Sequence, residues 1–170
     1  MNAETRREEL KRMLLQSGGS PISATALASR FSVSRQVIVG DIALLRAAGE
    51  EIEATPRGYV VKRAAVGIVT TLACVHSGDE MEQELNIMVD NGCRVMDVIV
   101  EHPVYGQLTG QLDLNSRYDV SRFIKSTQDN DAQPLSSLTG GIHLHTLQCP
   151  DMETVERVKA ALESAGFLYK

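Results

Sequence analysis

The stretch "GGIHLHTLQC", Gly140 to Cys149, holds His143 and His145 one residue apart in an apolar run. In a β-strand successive side chains point to opposite faces, so both imidazoles share one face while Ile142, Leu144 and Thr146 take the other. Two imidazoles about 7 Å apart at their bases can converge on one ion. Glu84 lies between Met81 and Met88 on the edge of a helical apolar stripe, where a carboxylate needs a cation or hydrogen-bond donors. His76 precedes it by eight residues, at a strand-to-helix junction. Each alone has an ordinary reading: a hydrogen-bonded histidine at a strand end, or a Glu84 paired with Arg94 or Lys125. Together, three imidazoles and a carboxylate suit one divalent transition metal ion per chain (zinc, nickel or iron) and not calcium. Cys74 shares strand parity with His76, and Cys149 with His145; a thiolate ligand is open to both, though both read first as core.

The elements around these residues follow from periodicity. "VGIVTTLACVH" reads as a buried strand ending at His76; Ser77 caps the next helix, with Glu80 closing a capping box. That helix places Met81, Leu85 and Met88 on one stripe and ends at Asn91-Gly92. "RVMDVIVEHP" and "YGQLTGQLDL" are strands, "SRYDVSRFIKSTQ" a helix, "GGIHLHTLQCP" a fourth strand, and the segment from Asp151 a final amphipathic helix. The predicted fold class of residues 64–170 is α+β, a sandwich with helices on one face of a mainly antiparallel sheet.

Residues 1–63 have a different pattern. Leu10, Met13 and Leu14 mark a first helix closed by "SGGSP"; Ser23 caps a short second helix with Leu27 and Ala28 inward. After the tight "FSVS" connection, Ser34 caps a third helix with Val37, Ile38, Ile42 and Leu45 inward, stopped at Gly49. Two short β-prone stretches, 52–54 and 58–61, then flank a turn at Thr55-Pro56-Arg57. This is a winged helix-turn-helix in outline. Ser34, Arg35 and Gln36 stand where major-groove readers carry base-contacting side chains, and Arg57 at the wing tip faces phosphate or the minor groove. Gly40, inside the third helix, costs about 0.5–1 kcal/mol relative to alanine and predicts a close backbone approach, to DNA or to the first helix.

Charge divides the chain at the same place. The first 63 residues hold ten basic and seven acidic side chains, and the remaining 107 hold seven and fifteen, so nucleic acid should meet the first part. Three cysteines without CxxC spacing argue against a disulfide framework and a cysteine zinc module. No apolar run reaches the roughly 20 residues of a membrane span, and the charged N-terminus lacks the apolar core of a signal peptide; a cytoplasmic location without membrane association is expected.

The segments "SRQVIVGDIALLRAAG", "ATPRGYVV", "EHPVYGQL" and "GGIHLH" together resemble the niacin-responsive repressors, which join an N-terminal winged helix to a C-terminal 3H domain. The likeness runs over nearly the whole chain. It implies a homodimeric bacterial repressor, not an enzyme, that binds double-stranded operator DNA of NAD-biosynthesis or niacin-uptake genes with nicotinic acid as corepressor. It also implies a metal held by His76, Glu84, His143 and His145, and an effector pocket bordered by His102 and Tyr105 in "EHPVYG". Gly40 departs from the longer polar residue expected at its position. Two rivals stand beside this reading: a metal-dependent hydrolase with Glu101 as base, and a DNA-binding protein whose histidines lock structure without sensing an effector.

Overall fold

The computed structural model describes residues 2–61 and 67–170. The chain divides into compact units of residues 1–64 and 65–170; the expected boundary between residues 63 and 64 falls within 62–66, outside the described residues.

The first unit runs α1 (Ala3–Gln16), α2 (Ala24–Phe31), α3 (Arg35–Ala47), β1 (Ile52–Thr55), β2 (Gly58–Val61). Side chains of Asn2, Ser23 and Ser34 accept backbone N–H groups at the three helix starts, satisfying donors that the helix itself leaves unpaired. Ser32 takes a left-handed conformation, φ 53°, between α2 and α3, which gives the sharp turn of the motif. Leu10, Leu14, Leu27, Ile38, Ile42, Leu45 and Ile52 form the core.

Three readings of this unit change. Val37, expected inward, is 37% exposed. The inward place next to Ile42 belongs to Asp41, whose Oδ2 accepts from Arg6 Nε at 2.6 Å and whose Oδ1 accepts from Arg6 Nη2 at 3.2 Å, joining α3 to α1. A cation from another helix makes an inward carboxylate tolerable. Gly40 is exposed, and a β-carbon there would meet nothing within 4 Å, so it serves no close approach to α1. Gly58 is the crowded glycine: at φ 135° a β-carbon would stand 2.3 Å from the carbonyl oxygen of Ile22. That contact seats β2 against the α1–α2 connection, where Ile22 and Tyr59 exchange two backbone hydrogen bonds of 2.9 Å.

The second unit comprises β3 (Ile68–Val75), a 3-10 turn at Gly78–Glu80, α4 (Met81–Asp90), β4 (Arg94–His102), β5 (Gly106–Leu114), α5 (Arg117–Asp129), a 3-10 turn at Leu135–Thr139, β6 (Ile142–Cys149) and α6 (Met152–Ser164). The strands make one antiparallel sheet in the order β3-β6-β4-β5. Apolar faces of α4, α5 and α6 cover one side, where Leu85, Met88, Val120, Val158 and Leu162 meet Leu72, Val95, Leu114 and Leu147. The α+β class and the single-sided helical layer agree with the periodicity.

Two features lie outside the sequence reading. The segment after α6 returns along β3: Val75 donates to the carbonyl of Phe167 at 2.8 Å and Tyr169 to that of Ala73 at 2.9 Å, so the outer edge of the sheet is paired. In β4, Val95 pairs with Leu147 but Asp97 with Thr146, leaving Met96 as an extra residue, a β-bulge. Val95 and Val98 thereby face the same side, and Val98 stands opposite His145.

Candidate metal centre and DNA-facing helix

In β6 the buried residues alternate: His143, His145, Leu147 and Cys149 face the helices. His145 pairs in register with Leu72, and His143 with Cys74. His76 follows the end of β3 and lies beside His143, ring centroids 4.8 Å apart at 81°; His143 and His145 repeat this at 4.8 Å and 85°. Glu84, in the first turn of α4, faces all three. Its Oε2 stands 2.6 Å from His76 Nε2 and 3.3 Å from His145 Nε2, and both its oxygens are 3.2 Å from His143 Nε2. Ligand atoms of His76, Glu84 and His143 all fall within 4.8 Å of one another. Exposure is 9% for His76, 0% for Glu84 and 3% for each strand histidine.

The other ring nitrogens settle the chemistry of the cluster. His76 Nδ1 donates to the Ser77 carbonyl at 2.6 Å, His143 Nδ1 to the Gly141 carbonyl at 2.8 Å, and His145 Nδ1 to the Asp97 carbonyl at 2.7 Å. A carbonyl oxygen only accepts, so each Nδ1 carries its proton, and each Nε2 faces Glu84 as a lone pair when the ring is neutral and as a donor when it is protonated. Three lone pairs facing a buried carboxylate repel unless positive charge sits among them. Burial pushes the Glu84 carboxyl up, but bonds from His143, His145 and His76 outweigh it and hold the group well below the usual carboxylate range. Burial pulls His76 down, and Glu84 reverses this to a net rise. Protons can supply the charge; a transition metal fits the same donors, with Nδ1 tethers that commonly orient histidine ligands.

The ordinary pairings considered for Glu84 do not occur: Arg94 pairs with Asp113 and bonds Gln148, and Lys125 pairs with Asp129. Cys74 does approach the cluster: burial, together with the nearby Glu84 carboxylate, raises its thiol pKa. Cys149 lies beside Cys93, away from the cluster. Glu80 acts as expected of a cap, its Oε2 accepting from Ser77 N at 3.0 Å and Ser77 Oγ at 2.9 Å.

His102 and Tyr105 stand apart from this centre. His102 ends β4, four residues or about 13 Å along the strand from Val98. Its Nδ1 accepts from the backbone N–H of Val104 at 3.2 Å and of Tyr105 at 3.3 Å, and its ring centroid is 5.0 Å from that of Tyr105. They shape the β4–β5 turn, with Tyr105 75% exposed. Glu101 is exposed and pairs with Gln107 on the sheet face opposite the histidines, out of reach as a base there.

In the first unit, Ser34, Arg35 and Gln36 are exposed together at the start of α3, and Ser34 Oγ accepts from Val37 N at 3.2 Å. Arg57 sits in the β1–β2 turn as expected, half-buried, with its N–H on Thr55 Oγ1 at 3.2 Å. The exposed Val37, Val39 and Leu44 add apolar surface to α3 that the inward assignment of Val37 overlooked.

A helix-turn-helix with a wing, joined to a second unit that gathers histidines, is the architecture of a two-domain DNA-binding regulator. Family comparisons agree: residues 6–60 match an HTH domain and residues 69–170 a 3H domain. A Thermotoga maritima protein named "Probable transcription repressor NiaR" is 46% identical over 165 residues, covering 96% of this chain and 94% of its own. Bacillus subtilis "Transcription repressor NadR" is 44% identical over 169 residues, covering 97% and 93%. The chain belongs to this family of NiaR-type transcription repressors with a 3H domain. Both relatives are named as repressors and not as enzymes, which agrees with the non-enzymatic reading. No helix among the described residues is long and apolar enough to cross a membrane.

Proposed function

We propose that this protein represses NAD-biosynthesis or niacin-uptake genes as a homodimer, with nicotinic acid as corepressor sensed by a metal-containing C-terminal domain. The observation that carries the metal is the set of three Nδ1-tethered imidazoles turned on the buried Glu84 carboxylate. His76, Glu84, His143 and His145 would hold the ion. When bound, it supplies a Lewis-acid position suited to the carboxylate or ring nitrogen of a pyridine acid.

On the DNA side, Ser34, Arg35 and Gln36 meet the major groove from the capped start of α3, where Arg and Gln can pair with base edges, and Arg57 meets phosphate or the minor groove. A two-fold dimer sets two such helices on half-sites about one helical turn, or a multiple, apart. The corepressor acts by binding one of two conformations more tightly, since only differential affinity moves the DNA equilibrium.

Fluorescence anisotropy with a promoter palindrome tests this. Nicotinic acid added to zinc-loaded protein should tighten binding at least about fivefold, the lower end of ordinary coupling energies, and His143→Ala should abolish the effect. Unchanged affinity would overturn the corepressor assignment. The burial of all four donors also favours a purely structural ion; that reading predicts a lower melting temperature on chelation and no response of DNA affinity to any pyridine.

A further inference from the structure

The second unit holds a pair of neighbouring thiols that the repressor function does not use. Cys93 and Cys149 place their Sγ atoms 3.0 Å apart, and the only other cysteine, Cys74, belongs to the histidine cluster. Their backbone position is set by the sheet: Arg94 pairs with Gln148, so Cys93 and Cys149 occupy the next antiparallel step outward. Directly opposed residues in antiparallel strands have Cα atoms about 4.5–5.5 Å apart, inside the roughly 4.4–6.8 Å range that a disulfide spans. Both residues are almost fully buried and both line an open cleft of about 430 Å³, together with Gly92, Arg94, Asn115 and Pro150.

We propose that Cys93 and Cys149 are a redox modification site, a dithiol that small oxidised thiols convert to an intrachain disulfide. Burial, with the adjacent Cys149, pushes the Cys93 thiol up to about 12 and Arg157 only partly offsets it, so the first exchange, at Cys93, proceeds through a small thiolate fraction. Cys93 loses its proton to solvent, attacks one sulfur of an R–S–S–R oxidant, and forms a mixed disulfide while RS⁻ leaves and is protonated. The Cys149 thiol gives up its proton as its sulfur attacks the mixed disulfide at Cys93, and the second RS⁻ leaves to be protonated in turn. Two protein thiols have then lost two electrons, and the oxidant's disulfide has become two thiols. The new bond joins the chain just after α4, which carries Glu84, to β6, which carries His143 and His145.

The reduced full-length protein incubated with oxidised glutathione, denatured, alkylated and digested with a glutamate-specific protease provides the test. Cleavage at glutamate separates Cys74 from Cys93. Free thiols should fall from three to one per chain, with the Cys93 and Cys149 peptides linked and Cys74 alkylated. Cys74→Ser should retain the link; Cys93→Ser and Cys149→Ser should each lose it. Retention of three thiols, a glutathione adduct that never closes to the link, a bond involving Cys74, or a covalent dimer would each overturn the proposal. The wild-type result stands by itself if any variant fails to fold.

Discussion

Each of the three clustered histidines is held from behind by a backbone carbonyl, so its Nε2 has little freedom to turn away from Glu84. Glu84 is therefore the residue whose chemistry the cluster most depends on. Glu84→Gln preserves shape but removes the negative charge, and should weaken metal binding by more than about a hundredfold, the upper effect of losing an outer-shell partner; elemental analysis of the purified variant reads this directly. At the other functional end, Arg35→Ala should cost about 1–3 kcal/mol of operator affinity, as loss of one bidentate base contact does, with non-specific binding little changed. A uniform loss across unrelated sequences would instead mark Arg35 as a phosphate contact. The histidines and Glu84 were legible because strand alternation and an uncomfortable carboxylate are local signals. The Asp97 carbonyl that aims His145 was not, since it depends on the β4 bulge and on a partner 48 positions away in the chain.

Helices and strands supply predictions of stability. Gly40→Ala adds a methyl group into open space on α3, and should stabilise the protein by about 0.5–1 kcal/mol in urea unfolding. The same variant separates two roles: weaker DNA binding with higher stability would show that the backbone at Gly40 comes close to DNA. Leu147→Ala, which empties a fully buried site between His145 and Cys149, should cost about 2–5 kcal/mol. The sequence located every main helix and strand because caps and periodicity are written locally, as at Ser34, Ser116 and Asp151. It misplaced Val37 because a helical stripe is wide, and only packing against α1 shows that Asp41, paired with Arg6, takes the inward position. The 3-10 turn at Leu135–Thr139 and the return of Phe167–Tyr169 along β3 carry little periodicity of their own; partners distant in sequence create them.

For the molecule as a whole, the charge division separates tasks: the basic residues concentrate in the unit that presents Ser34, Arg35 and Gln36, and the acidic excess lies in the unit with the histidines. Operator binding should weaken at least about tenfold between 50 and 200 mM salt, as expected when several phosphate contacts release counterions. On the metal reading proposed above, a chelator should lower the melting temperature, because ligation would stabilise only the folded arrangement of α4, β3 and β6; calorimetry before and after zinc is added would measure it.

By itself the sequence determined the two-part organisation, the winged-helix outline and the identity of the clustered residues, because composition, capping and period are properties of neighbouring positions. Only the tertiary structure decided that His76, Glu84, His143 and His145 meet, that His102 and Tyr105 do not join them, and that Cys93 faces Cys149. Those outcomes depend on the register of β3, β6 and β4 and on a single inserted residue at Met96. A one-residue change of register would turn a strand's side chains to the other face of the sheet.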